Sequence, residues 1–109
     1  MQLKYHSARS KLVEAIKTLS IGKGKIQTRL LIVFDDLNAL SNQDIPEEIT
    51  QKWNEVNKLV TKYGPNGLVG SIEHTLSRIT EPTGIRIAVL IYEMYYHIVH
   101  ENTFTPSPK

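Results

Sequence analysis

Apolar residues recur along the first third of the chain at spacings of three and four, the period of one face of an α-helix. The first such run predicts a helix from about Ser7 to Leu19, and the second predicts a helix over residues 25–40. The link between them is short, which favours an antiparallel hairpin. Gly22 stands in this link, and we expect it to cap the first helix in the left-handed conformation.

The boundary of a third helix is marked by its polar residues. Asp44 is a candidate N-cap, and Pro46 suits the first helical turn because its missing N–H has no partner there. Two glutamates follow, which favour the positive end of a helix dipole. The apolar pattern then continues to about Tyr63, where a segment with two glycines and a proline ends it.

A short fourth helix is predicted over residues 70–79, and a fifth, capped by Thr80, is predicted to run to about His100. The pattern as a whole predicts an all-α fold, a compact bundle of four to five helices with short loops. We expect a single helical domain over residues 1–102 and a flexible tail over 103–109, where two prolines prevent a helix from continuing.

The fifth predicted helix is apolar around most of its circumference. One face carries Ile85, Ala88, Tyr92, Tyr95 and Val99, and a second apolar face lies beside it. A helix of this kind must be covered on nearly every side, because each large apolar side chain left in water forgoes about 1.5–3 kcal/mol. Either the first four helices enclose it within one subunit, or one face packs inside and the other meets a partner chain.

We favour the second arrangement and a two-fold symmetric homodimer, the commonest closed oligomer. The residues predicted to mediate self-association are those of the second face, Ile87, Leu90, Ile91, Met94 and Ile98.

Composition limits the class of protein. With 40% hydrophobic and 22% charged residues the chain is ordinary for a globular domain, and without cysteine it has neither disulfides nor thiolate chemistry. The first ten residues lack the apolar stretch of a signal peptide, and the longest apolar run, Ile87–Tyr92, is far shorter than the ~20 residues of a membrane span. We therefore expect a soluble, cytoplasmic protein with no membrane partner.

Charge is unevenly distributed along the chain. Residues 1–29 contain seven Lys and Arg against Glu14 alone, whereas residues 30–109 contain six against ten acids, within a net charge of +2. A basic first quarter on an acidic remainder is compatible with a nucleic-acid or phosphate-binding face, with head-to-tail pairing of subunits, or with a solvated helix pair.

The sharpest local motif lies at the start of the second helix. Gly22-Lys23-Gly24-Lys25, followed by Arg29, combines flexible backbone, free helix N–H groups and three cations, so Lys23, Lys25 and Arg29 form a candidate anion site. The spacing is not that of a Walker motif. Solvated lysines at a capped helix end are the alternative interpretation, and binding to nucleic acid here would be through phosphate and sensitive to salt.

Other constellations point less clearly to chemistry. Glu93, His97 and Glu101 have a spacing that can place two ligands on one metal ion, but a second helix with the complementary Glu-x-x-His pattern is lacking. Tyr92, Tyr95 and Tyr96 are better explained as core and interface residues than as a ligand cage. We predict no catalytic residue, no metal ligand and no cofactor.

Three stretches resemble a set of short, uncharacterised bacterial all-helical proteins. They are Gly22–Leu31, Asp44–Glu48 and Gly70–Leu76, and Ile87-Ala88 and Tyr92 are similar as well. The resemblance implies a bacterial, cytosolic protein and no activity. The chain departs from this pattern at Pro82-Thr83-Gly84, where an acidic pair is expected.

The leading hypothesis is a non-enzymatic helical protein-interaction module that self-associates through its last helix and presents its basic N-terminal hairpin to partners. The first alternative is a nucleic-acid or phosphate-ligand binder that uses the hairpin. The second is a small metal-dependent enzyme built on Glu93 and His97.

Overall fold

A computed structural model describes residues 5–67 and 69–103, with side chains as far as residue 100. Over these residues the chain is all-α, which confirms the predicted helical bundle. Its helices are α1 (His6–Ile21), α2 (Ile26–Leu37), α3 (Thr50–Val60), α4 (Ser71–Arg78) and α5 (Glu81–Thr103). Apart from Thr103, the predicted flexible tail lies outside the described residues.

The segment between α2 and α3 differs from the prediction. Two short 3-10 turns, Asn42–Asp44 and Glu47–Ile49, precede α3. The Asp44 carboxylate accepts hydrogen bonds from the backbone N–H (2.8 Å) and the hydroxyl (3.1 Å) of Ser41, so it closes the first turn instead of capping the α-helix. The prediction of an α-helix starting at Asp44 was wrong because the extended backbone at Pro46 separates the two turns.

Gly22 is the C-cap of α1, as predicted, but its conformation is not the left-handed one expected. Its backbone is extended, with φ −67° and ψ 160°, and the left-handed residue of the α1–α2 link is Gly24, with φ 92°. The N–H of Gly22 donates to the carbonyl of Thr18 (2.8 Å), and a Cβ at this position would collide with the same oxygen. A glycine is needed here for close packing of the turn.

The core is organised around α5. This helix packs against α1, α2 and α3, while α4 packs against α2 and α3. Gly84 in the first turn of α5 is buried against Ile26 at the start of α2, and a Cβ on it would lie only 2.8 Å from the Ile26 Cγ2 atom. The absence of a side chain at Gly84 therefore allows α5 to approach α2 closely.

The longest helix, α5, runs along the longest dimension of the molecule, which measures 52 × 27 × 19 Å. With 23 residues, α5 is about 34 Å long, more than either of the shorter dimensions. Despite the apolar character of α5, no helix in the described part of the chain has the length and hydrophobicity needed to span a membrane.

Candidate interaction surface on the last helix

The structure places the predicted self-association face in the core of the chain itself. Each of its five residues is at most 2% exposed, and they are Ile87, Leu90, Ile91, Met94 and Ile98. Helices α1, α2 and α3 cover this side of α5. The assignment of these residues to a partner interface was therefore wrong, because periodicity defines the faces of a helix but not which neighbour covers each one.

The opposite side of α5 is open and carries a row of large side chains. Ile85, Val89, Tyr92 and Tyr96 are 49%, 40%, 50% and 51% exposed, respectively. Their spacing of four, three and four residues is that of the seam along which two helices associate in a coiled coil. We call these four residues the outer stripe. The half nearer the start of α5, Ile85 and Val89, is aliphatic, and the half nearer its end, Tyr92 and Tyr96, is aromatic.

The aromatic half of the outer stripe is a continuous surface of rings. The Tyr92 ring centroid lies 6.1 Å from that of Tyr96 and 6.1 Å from that of the half-buried Tyr95. The Tyr96 ring lies against His100 at 3.9 Å. These ring contacts all lie within one helix. Tyrosine suits such a position because it combines a large apolar ring with a polar hydroxyl.

A charged border separates the outer stripe from α3. The Arg86 guanidinium lies 2.9 Å from the Glu55 carboxylate, and the Lys52 ammonium lies 3.7 Å from that of Glu93. All four side chains are about half exposed and line a groove of about 450 Å³ between α3 and α5. The groove gives the apolar stripe a polar rim, the arrangement usual in protein interfaces.

The candidate anion site is divided by the structure. The Arg29 guanidinium donates to the carbonyl of Leu19 (2.6 Å) at the end of α1 and to that of Gly24 (3.2 Å) in the link. Arg29 therefore fastens the α1–α2 turn, whereas Lys23 and Lys25 are exposed on it. An anion at this turn would meet two lysines and an arginine that already binds the backbone.

Charge is separated between the two ends of the molecule, and not only along the sequence. Gly84 lies beside Ile26, so α5 begins at the α1–α2 turn. The Gln27 side chain donates to the Ile79 carbonyl (3.1 Å), so α4 ends at the same place. Since Glu55 pairs with Arg86 and the earlier Lys52 pairs with the later Glu93, α3 runs antiparallel to α5 and ends there too.

We call this the basic end, and its cations besides Arg29 are Lys17, Lys23, Lys25, Lys58, Lys62 and Arg78, which outnumber the acid Glu81 at the start of α5. The other end, where α2 finishes and α3 begins, is the acidic end, where the acids Asp35, Asp36, Asp44, Glu47 and Glu48 outnumber the cations Arg9, Lys11 and Lys52. Lys11 pairs with Asp36 there at 3.0 Å. The molecule therefore carries net positive charge at one end of its length and net negative charge at the other.

Among the described residues, the fold brings no further ligand to the candidate metal site of Glu93, His97 and Glu101. Glu93 faces Lys52, His97 is half-buried, and the side chain of Glu101 lies outside the described residues. Within the part of the chain that the structure describes, no group of three or more His, Cys, Asp or Glu side chains could hold a metal ion.

No protein-family model matches this chain, and neither curated proteins nor solved structures include a significant match to it. The resemblance carried by Gly22–Leu31 and the other two stretches therefore remains a prediction.

Proposed function

We propose that this protein is a non-enzymatic helical interaction module that self-associates through the outer stripe of α5. The observation that carries the proposal is the row of four large side chains, each about half exposed, at coiled-coil spacing on the helix that also organises the core. The sequence predicts self-association through this same helix, and the proposed interface residues are those on its exposed side, Ile85, Val89, Tyr92 and Tyr96.

The surface has the size and composition expected of the centre of an interface. Four such side chains expose apolar area on the order of a few hundred Å², the range in which exposed patches on a monomer are often functional. A stable dimer buries about 800 Å² per partner. The charged border along α3 would supply part of the remainder, as the polar rim around an apolar centre.

A second copy of the chain fits this surface better than an unrelated partner of unknown shape. A stripe at coiled-coil spacing is matched by another helix with the same spacing, and a two-fold axis brings two identical stripes together. Tyrosine is among the residues most enriched at interface hot spots, and two of the four stripe residues are tyrosines.

Light scattering over a dilution series tests the proposal. We expect a mass of twice the 12.4 kDa chain at high concentration and a fall towards the monomer on dilution. Tyr92→Lys should leave a monomer at every concentration, because it places an ammonium in the centre of the apolar contact. The matched control is Ile32→Lys, since Ile32 lies on α2, outside the outer stripe, and is 53% exposed. A parent chain that is monomeric even at high concentration would rule the proposal out.

A nucleic-acid or phosphate-ligand binder remains the alternative, and the gathering of cations at the basic end is the observation that favours it. Titration of the monomeric Tyr92→Lys protein with a polyanion, at several salt concentrations, would test it. Binding that weakens steeply with salt and is lost in a Lys23→Ala, Lys25→Ala variant would support this alternative.

A further inference from the structure

We infer that the two chains pair antiparallel, with the aliphatic half of one outer stripe against the tyrosine half of the other and the basic end of each subunit beside the acidic end of its partner. The inference rests on the proposed self-association, and it names the orientation and contacts of the pair. Two independent features of the structure carry it, namely the order of side-chain sizes along the stripe and the position of the charges.

The first feature is that the outer stripe is unequal along its length. Ile85 and Val89 come first, and Tyr92 and Tyr96 follow. In an antiparallel pair with the two-fold axis between Val89 and Tyr92, Ile85 faces the partner's Tyr96 and Val89 faces the partner's Tyr92. Every layer then joins one aliphatic side chain to one ring, and the two helices stay evenly spaced.

A parallel pair would have uneven layers. Two layers would contain only aliphatic side chains, and two would contain a pair of tyrosine rings. The bulky tyrosine layers would hold the two helices apart at the aliphatic end. Facing positions that alternate large and small side chains pack without voids, and this favours the antiparallel arrangement.

The second feature is the separation of charge. Because α5 runs along the long axis, pairing its outer stripe antiparallel sets the basic end of one subunit beside the acidic end of the other. Lys23 and Lys25 of one subunit then lie at the same end of the dimer as Glu47 and Glu48 of the other. A parallel pair would instead place like charges side by side. Complementary fields of this kind guide the orientation of an encounter and act most strongly at low salt.

Cross-linking between single cysteines reads the orientation directly, since the parent chain has no cysteine. Ile85→Cys and Tyr96→Cys lie eleven residues apart on α5, about 16 Å, whereas a disulfide requires Cα atoms within about 7 Å. We expect a mixed disulfide dimer when the two variants are combined under mild oxidation, and little cross-linking of either variant alone. Cross-linking of each variant with itself would overturn the inference, and so would a reduced dimer that forms neither product. Ile32→Cys on α2 gives the background from random collision.

Charge reversal gives a second readout that leaves the stripe intact. Lys23→Glu with Lys25→Glu should weaken dimerisation about threefold to tenfold at low salt and much less at high salt. The same change would strengthen a parallel dimer, because it removes repulsion between two basic ends. Mixing this variant with Glu47→Lys, Glu48→Lys should restore association between the two.

The outcomes separate the two proposals. A parent dimer whose charge-reversed variant binds more tightly, or whose cysteines link each with itself, retains self-association and overturns the antiparallel orientation. A parent chain that is monomeric in light scattering removes self-association, and the orientation is overturned with it.

Discussion

The two sides of α5 have similar apolar chemistry and different surroundings. The inner side, with Ile91 and Met94 at its centre, is fully buried by α1, α2 and α3, whereas the outer stripe is about half exposed. The fold therefore buries only one side of a helix that is apolar on both sides. Stability should depend on the inner side and association on the outer one, and the two properties can be tested separately in the same helix.

The largest expected effect is on the inner side. Ile91→Ala should lower the free energy of unfolding by about 2–5 kcal/mol, because it removes a fully buried side chain and leaves a cavity. Urea unfolding followed by the fluorescence of the buried Trp53 would measure the loss. Ile85→Ala on the outer stripe is the control, and in a monomeric sample it should cost less than about 1 kcal/mol. Equal losses at the two positions would contradict the division into a buried and an open side.

A smaller effect is expected where the inner side meets α2. Gly84→Ala should destabilise the protein by about 1 kcal/mol, since overpacking against Ile26 costs about 1–3 kcal/mol and the better helix propensity of alanine returns about 1 kcal/mol. In an Ile26→Ala background the overlap is absent, so the same change should become neutral or stabilising. A double-mutant cycle from urea unfolding measures this coupling. If the two changes are additive, the close approach of α5 to α2 does not depend on the glycine.

The smallest effect is expected at the border between the two sides. Arg86→Gln breaks the ion pair with Glu55, but both side chains are about half exposed, so we expect a loss below about 0.5 kcal/mol at physiological salt. The same variant is compared with the parent chain at low salt, where the loss in the free energy of unfolding should be larger. A loss of more than about 1 kcal/mol in the free energy of unfolding at high salt would contradict this expectation, because salt screens an ion pair between half-exposed side chains.

Helix periodicity predicted most of the fold and the wrong side of α5. The spacing of apolar residues in α1, α2 and α4 is a local property, so those helices are found within a few residues of their predicted positions. Which side of α5 faces inward depends instead on contacts such as that of Gly84 with Ile26, between residues 58 positions apart. The local pattern of apolar residues does not predict such long-range contacts.

Spacing alone does not distinguish the outer stripe from the inner side. Ile85, Val89, Tyr92 and Tyr96 follow a repeat of four and three, and the buried residues Ile87, Ile91, Met94 and Ile98 follow the same repeat. The predicted faces of α5 included Ile85 and Tyr92 but omitted Val89 and Tyr96. The role of Arg29 left no signal in the sequence either, since a cation beside two lysines looks the same whether it binds an anion or the carbonyls of its own chain.

The central position of α5 has a consequence for how the chain folds. The ribosome produces α1 to α4 first, and their apolar surfaces around Leu12, Leu30 and Val56 are completed only when α5 arrives. Until then the nascent chain exposes the surfaces that α5 will cover, and such intermediates are prone to aggregate. Any truncation within α5 would leave this condition permanent, so the helix proposed to recruit a partner is also the one whose synthesis allows the subunit to fold.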